Sequence, residues 1–270
     1  MSHRAVPSSE PDRQSDVEGL LGALRAATPA RVGLGRAGAG LPTAAMLEFQ
    51  LAHAKARDAV WAELDTEALR AALPGPSLVI ASAAPDRRTF LLDPERGRRL
   101  DPHGAPLPQT RADLAILIAD GLCAAAVQAQ APLLLRALLP RLEGWRMAPL
   151  VVARQGRVAL GDAVGDALGA RAVLVLLGER PGLSAADSLG AYLTWDPRPG
   201  RRDHERNCVS NIREPGGLSP PQAAEKLAWL LHEARRLGFT GVDLKDRQDA
   251  APLMPPASPQ IAPPTPHGGD

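Results

Sequence analysis

The sequence predicts an α/β fold with a doubly wound, mostly parallel, Rossmann-like sheet that is preceded by an N-terminal helical segment. From residue 77 onwards, short continuous apolar runs alternate with segments of helical periodicity. Such runs are typical of strands buried on both faces, and helices between them are the usual crossovers of a parallel sheet. With 270 residues, 45% of them hydrophobic, the chain is long enough to bury such a core.

The N-terminal part of the chain lacks strand-like apolar runs, and its pattern predicts helices. Pro42 suits a first helical turn, and apolar residues recur at helical spacing as far as Leu64, which predicts a helix over 42–64. A second, short helix is predicted over Thr66–Leu73. It ends before Pro74-Gly75-Pro76, which cannot continue a helix.

Six strands and three longer helices are predicted in the α/β part. The strands are Leu78–Ser82, Leu114–Ala119, Leu150–Arg154, Ala172–Leu177, Leu189–Thr194 and Cys208–Ile212. The helices are Gly121–Leu142, Arg157–Leu168 and Pro221–Leu237. Because proline removes a helical hydrogen bond, we expect Pro132 and Pro140 to break the first helix into two pieces.

Four segments follow from these patterns. They are a flexible tail over 1–19, the helical segment over 20–76, the α/β domain over 77–248 and a Pro-rich tail over 249–270. Seven of the nineteen residues from Pro252 to Asp270 are proline, so we expect this last segment to be disordered. It is either a plain tail or a ligand for an SH3-type domain.

Composition and charge exclude several classes of protein. A net charge of +1, no polybasic block and 3% aromatic residues argue against a nucleic-acid partner. No apolar run reaches the ~20 residues of a membrane span, and Met1–Ser15 has no apolar core of a secretory signal. Cys123 and Cys208 are far apart and show no zinc or disulfide pattern, so we expect a reducing cytoplasm.

Three polar motifs mark the candidate site. Gly178-Glu179-Arg180-Pro181-Gly182 follows a predicted buried strand, and ligands of parallel sheets bind beyond the carboxyl ends of strands. The second motif, Arg206–Arg213, contains the last predicted strand. The third is the glycine-rich Arg31–Gly38. Its GxGxxG pattern has no strand before it, which argues against dinucleotide binding.

The chemistry of single residues leaves alternatives open. Glu179 either pairs with Arg180 or another arginine, or accepts hydrogen bonds from a ligand. Cys208 is either a small buried apolar side chain or a ligand contact. Asp120 either caps the helix that follows it or faces the ligand crevice. Val158, at the start of the predicted helix Arg157–Leu168, is interpreted from its chemistry alone as an ordinary packing residue.

Together, these motifs closely resemble the small subunit of ethanolamine ammonia-lyase, an enzyme that depends on adenosylcobalamin. The N-terminal motif continues through Leu41-Pro42-Thr43 and His53–Val60, as it does in that family. The family usually has a serine shortly after the glycine that corresponds to Gly121, where this chain has Cys123. The resemblance extends over residues 20–245.

The resemblance implies a function and a partner. In this family, ethanolamine is converted to acetaldehyde and ammonia by a radical mechanism, in a hetero-oligomer whose large subunit holds most of the substrate pocket. It implies docking of the N-terminal motif on that subunit, and a place in the cytoplasm or in a bacterial microcompartment. The alternative is a non-catalytic corrinoid-binding carrier, or an adaptor that uses the Pro-rich tail.

The resemblance also implies the site residues. It assigns cobalamin binding to the 77–248 domain, with contacts from Val158, Glu179 and Cys208, and no catalytic residue in this chain. We expect the hydrogen-bonding capacity of Glu179 to be satisfied only when the corrinoid is bound. The sequence has no DxHxxG motif, so we expect no protein ligand to cobalt.

Overall fold

The computed structural model describes residues 11–28 and 30–247. Seven α-helices lie in these residues: α1 (Pro11–Ala27), α2 (Thr43–Trp61), α3 (Thr66–Ala72), α4 (Arg87–Leu92), α5 (Ala124–Leu138), α6 (Leu160–Leu168) and α7 (Pro220–Leu237). The six strands are β1 (Ser77–Ala81), β2 (Leu114–Ala119), β3 (Leu150–Arg154), β4 (Ala172–Gly178), β5 (Leu189–Trp195) and β6 (Arg206–Ile212).

All six strands form one mixed sheet in the order β1-β3-β2-β4-β5-β6. The first four strands in this order run parallel, whereas β5 is antiparallel to both of its neighbours. The α/β class is confirmed, but a Rossmann-like, doubly wound parallel sheet is not, because the sheet is mixed. Residues 179–188 between β4 and β5 contain no helix, so the chain turns back directly beside β4.

The apolar runs predict the strands closely. The bounds of β2 and β3 coincide with the predicted ones, and no end of the other four strands differs by more than two residues. The expected break of α5 at Pro132 is wrong, because Pro132 lies inside this helix. Ala131, Leu134 and Leu135 around it are fully buried, and this packing maintains the helix despite the missing N–H.

Two hydrophobic clusters cover the two faces of the sheet. On one face, α5 and α7 pack against side chains such as Ile116 and Leu174. On the other face, α6 packs against side chains such as Leu117 and Val175. A buried ion pair between Asp162 and Arg206 ties α6 to β6, with two nitrogen–oxygen distances of 2.6 Å.

The N-terminal helical segment behaves differently from this core. Helix α2 has no buried residue and exposes several large apolar side chains: Met46, Leu47, Phe49, Leu51 and Trp61. Helix α1 overlaps the second half of the tail predicted over 1–19, while residues 1–10 lie outside the described residues. The Pro-rich segment predicted over 249–270 also lies outside them.

Candidate functional site

A cavity of about 380 Å³ opens at the carboxyl edge of β2 and β4. Its lining contains Gly121, Leu122, Arg157, Leu177, Gly178, Glu179, Arg180, Tyr192 and Ser210. A larger cavity, of about 620 Å³, lies near the end of β1, but none of the three predicted site residues lines it. We therefore take the cavity beside Glu179 as the candidate site.

Glu179 is the acceptor at the centre of this site. The Ser210 hydroxyl donates to its Oε1, and the Ser188 hydroxyl and the Asn211 N–H donate to its Oε2. An ion pair with Arg180 is therefore not what holds it. The expectation that a ligand alone would satisfy this carboxylate is also wrong. A carboxylate oxygen accepts about two hydrogen bonds, so Oε1 keeps room for one further donor.

Glycines make the room for Glu179 and for the turn that carries it. A Cβ at Gly190 would lie 2.8 Å from Oε1 of Glu179, and one at Gly178 would lie 2.0 Å from the Cys123 carbonyl oxygen. Gly121 adopts a positive φ of 54°, and a Cβ there would lie 2.3 Å from the Gly178 carbonyl oxygen. The ends of β2 and β4 thus approach more closely than side chains would permit.

Cys208 lies on β6, directly across from Tyr192 on the neighbouring strand β5. Because side chains alternate along a strand, Cys208 and Ser210 point to the same face of the sheet. Both residues are exposed there and Tyr192 is half-buried, so part of this face has no helix over it. The interpretation of Cys208 as a buried apolar side chain is therefore wrong.

The Cys208 thiol is not activated as a nucleophile. Although the side chain reaches the surface, the protein around the sulfur desolvates it and raises the pKa of the thiol to about 11, and the Glu179 carboxylate adds to this shift. Burial likewise raises the pKa of the Tyr192 phenol. Since the thiolate is the nucleophilic form, Cys208 stays protonated and unreactive at neutral pH.

Val158 lies in the turn between β3 and α6, because α6 begins at Leu160 and not at Arg157 as predicted. It is half-buried and packs against the apolar cluster under α6. Val158 does not line the cavity, but its neighbour Arg157 does. Of the three predicted contacts, only Glu179 lines the cavity itself.

Asp120 is part of the framework and not a helix cap. Its two carboxylate oxygens accept from the Gln155 and Gly156 N–H groups at 3.0 and 3.1 Å, and Arg87 Nη1 lies 3.6 Å away. Burial raises the pKa of the Asp120 carboxyl, although its hydrogen bonds and the charge of Arg87 lower it. The cap of α5 is Cys123, whose sulfur accepts from Ala126 N–H. Through its hydrogen bonds with Gln155 and Gly156, Asp120 fixes the loop that carries Arg157.

A sequence profile of the family "Ethanolamine ammonia-lyase light chain (EutC)" matches residues 19–245. The chain belongs to this family. Curated ethanolamine ammonia-lyase small subunits are similar along nearly their whole length. The protein from Xanthomonas campestris is 51% identical over 254 residues, which are 89% of this chain and 92% of that protein.

Two further ethanolamine ammonia-lyase small subunits show the same extent of likeness. The protein from Azotobacter vinelandii is 51% identical, over 90% of this chain and 94% of its own length. The protein from Bradyrhizobium diazoefficiens is 52% identical, over 85% of this chain and 92% of its own length. The three motifs around Gly33, Glu179 and Cys208 all lie within the residues that the family profile matches, 19–245.

Two kinds of residue in the site could not be predicted from the sequence. Ser188, Ser210 and Asn211 hold Glu179, although Ser210 and Asn211 stand in a motif that the sequence singles out. The sequence predicts Arg157 as the first residue of a helix, whose exposed N–H groups could receive a ligand, and gives its side chain no role. Among the described residues, no group of three or more His, Cys, Asp or Glu is placed to hold a metal ion, and no helix is long and apolar enough to cross a membrane.

Proposed function

We propose that this chain is the small subunit of an adenosylcobalamin-dependent ethanolamine ammonia-lyase, which converts ethanolamine to acetaldehyde and ammonia together with a large subunit. The observation that carries the proposal is the family match over residues 19–245, with relatives of about half-identical sequence along nearly the whole chain. The complex works in the cytoplasm or in a bacterial microcompartment.

The residues around the cavity fit one side of a corrinoid. Cobalamin is a broad disc with primary carboxamides around its rim, so it requires a flat surface bordered by hydrogen-bond acceptors and donors. The face of β5 and β6 beside the cavity carries only small or half-buried groups: Gly190, Tyr192, Cys208 and Ser210. Glu179 stands at its border with room for one more donor.

The chain's own residues bind and orient the cofactor in this proposal. Glu179 accepts a hydrogen bond from a rim carboxamide, and Val158 and Cys208 pack against the corrinoid. None of these residues is a ligand of cobalt. When bound, the cofactor supplies the radical chemistry, and the protein supplies position and shelter from water.

The open site and helix α2 both favour a large partner over an independent carrier. The cavity is too small and too open to enclose a corrin, so the other side of the cofactor must face a second protein. Helix α2 exposes about half of the surface of Leu47, Leu51 and Trp61. Exposed apolar side chains of this number are typical of a protein–protein contact, and we assign this helix to docking on the large subunit.

The test is a reconstitution. The chain is produced alone and together with the large subunit, and ethanolamine turnover is measured with adenosylcobalamin. We expect turnover only in the complex, which should also retain the visible spectrum of the cofactor after gel filtration. Turnover by the isolated chain would contradict the proposal, and tight cobalamin binding by the isolated chain would favour the carrier.

A further inference from the structure

Arg157 is held in one orientation in the wall of the cavity. Its guanidinium carbon lies 4.2 Å from the centre of the Phe90 ring, and its Nη2 donates to the Phe90 carbonyl oxygen at 3.1 Å. Its backbone N–H donates to the Gly97 carbonyl oxygen at 2.8 Å. A Cβ at Gly97 would lie 2.8 Å from both Arg157 Cγ and the Phe90 ring, so this arrangement requires glycine.

The positive charge of Arg157 is only partly compensated: the Asp120 carboxylate acts on it, but from beyond ion-pair distance. No described carboxylate pairs with it, Nε is buried without a hydrogen-bond acceptor, and the single acceptor of the guanidinium is the Phe90 carbonyl oxygen. Burial lowers its pKa, and the positive charge of Arg87 on the same Phe90 ring lowers it further. A half-buried guanidinium with free N–H donors is unfavourable until an acceptor reaches it.

The ligand chemistry follows from the two groups that share the cavity. Arg157 offers donors, and Glu179 offers an acceptor position at Oε1. An anion would be attracted by Arg157 but repelled by Glu179. A primary carboxamide meets both requirements, because its oxygen accepts and its nitrogen donates while the group stays neutral.

We propose that Arg157 is a further cofactor-binding residue, which donates a hydrogen bond to a carboxamide oxygen on the corrinoid rim while Glu179 accepts from a carboxamide N–H. This inference rests on the proposed function and adds a residue to its site. Since Phe90 and Gly97 orient the guanidinium before binding, little side-chain entropy is lost when the ligand arrives.

The experiment is a visible-spectrum titration of adenosylcobalamin into the complex of both subunits, with Arg157→Met and Arg157→Lys. Loss of a charge-assisted hydrogen bond should raise Kd about ten- to a hundredfold in Arg157→Met. Arg157→Lys should lie between this variant and wild type, because the ammonium keeps the charge but not the planar geometry.

Arg171→Lys is the matched control. The Arg171 guanidinium also stacks on an aromatic ring, 5.3 Å from the centre of Trp195, but it precedes the amino end of β4, at the opposite edge of the sheet. This variant should bind the cofactor like wild type. Thermal unfolding of all variants shows whether a loss of binding follows from a loss of folding.

A second variant moves Arg157 without removing it. The added methyl group of Gly97→Ala must displace Arg157 or Phe90, so this variant should also weaken binding. Cofactor affinities equal to wild type in Arg157→Met and Gly97→Ala would overturn the inference and leave the proposed function intact. A wild-type complex that binds no cobalamin would instead overturn the proposed function.

The carboxamide is tested with inorganic phosphate and with corrinoids that carry one rim carboxylate in place of a carboxamide. We expect that phosphate does not compete with the cofactor. We also expect that the ratio of the Kd of at least one carboxylate derivative to the Kd of cobalamin differs between the wild-type and Arg157→Met complexes. Competition by phosphate in wild type but not in Arg157→Met would show that Arg157 binds an anion, and would overturn the assignment.

Discussion

Glu179→Gln tests the proposal that Glu179 accepts a hydrogen bond from the cofactor beside the exposed face of β5 and β6. In the structure, Glu179 receives hydrogen bonds from Ser188, Ser210 and Asn211, and its Oε1 can accept one more. The amide of glutamine has one oxygen only. Its NH2 group would take the place of one carboxylate oxygen and would oppose an incoming N–H of the ligand. Ser188 and Ser210 are hydroxyls that can rotate and accept from this NH2 group, so the fold should survive.

The magnitude follows from the bonds that change. A charge-assisted hydrogen bond to the ligand is worth ~1.5–3 kcal/mol, which corresponds to an increase of about ten- to a hundredfold in the Kd of the cofactor. In the fold, Ser188 and Asn211 keep an oxygen acceptor, while the Ser210 hydroxyl turns to accept from the new NH2 group, so we expect a loss of stability on the order of 1 kcal/mol. The loss of binding free energy for the cofactor should therefore exceed the loss of folding free energy.

The assay is a titration of cobalamin into wild-type and variant complexes, with the thermal unfolding of each recorded in parallel. Ser188→Ala is the control, since it removes one donor from Oε2 but leaves the free position on Oε1 unchanged. It should bind within a few-fold of wild type. Equal affinities of the wild-type and Glu179→Gln complexes, at equal folding, would refute the reasoning.

Two further residues permit sharp predictions. Cys208→Ala should retain substantial turnover with a base-on cobalamin spectrum, whereas Cys208→Trp should block cofactor binding, and complete loss of activity in the fully loaded alanine variant would reveal a chemical role for the thiol. Alkylation of Cys208 should be slow at pH 7 and should rise as the pH approaches its pKa of about 11, since only the thiolate reacts; fast labelling at neutral pH would contradict this. Asp162→Asn removes the buried counter-ion of Arg206, which then keeps only the exposed Asp203 at 3.7 Å, and should lower the free energy of unfolding by about 3–5 kcal/mol in a denaturant titration. The exposed Asp196→Asn should lower it by less than about 1 kcal/mol, and equal effects would show that burial does not matter here.

The agreement between sequence and structure is closest where a pattern is local. The runs Leu114–Ala119 and Leu150–Arg154 are apolar at almost every position, and their burial alone determines where β2 and β3 begin and end. The turn after β4 is equally local, because Pro181 and Gly182 cannot continue a central strand. The family is likewise readable from short motifs whose residues are adjacent in the chain.

Contacts between residues that are distant in the sequence could not be predicted in this way. Neither the antiparallel direction of β5 nor the survival of α5 around Pro132 follows from local sequence, since both depend on what packs against them. A lone glutamate after a strand cannot reveal that Ser188 and Ser210 will donate to it.

For this protein, the sequence by itself determined the α/β class, the places of the strands and the family. Only the tertiary structure decided that the sheet is mixed, that Cys208 lies on an open face and that Arg157 is stacked on Phe90 without an ion-pair partner among the described residues. The physical reason is the range of the interactions. Strand formation by apolar runs is a property of neighbours in sequence, whereas exposure and pairing of polar groups arise when remote segments meet.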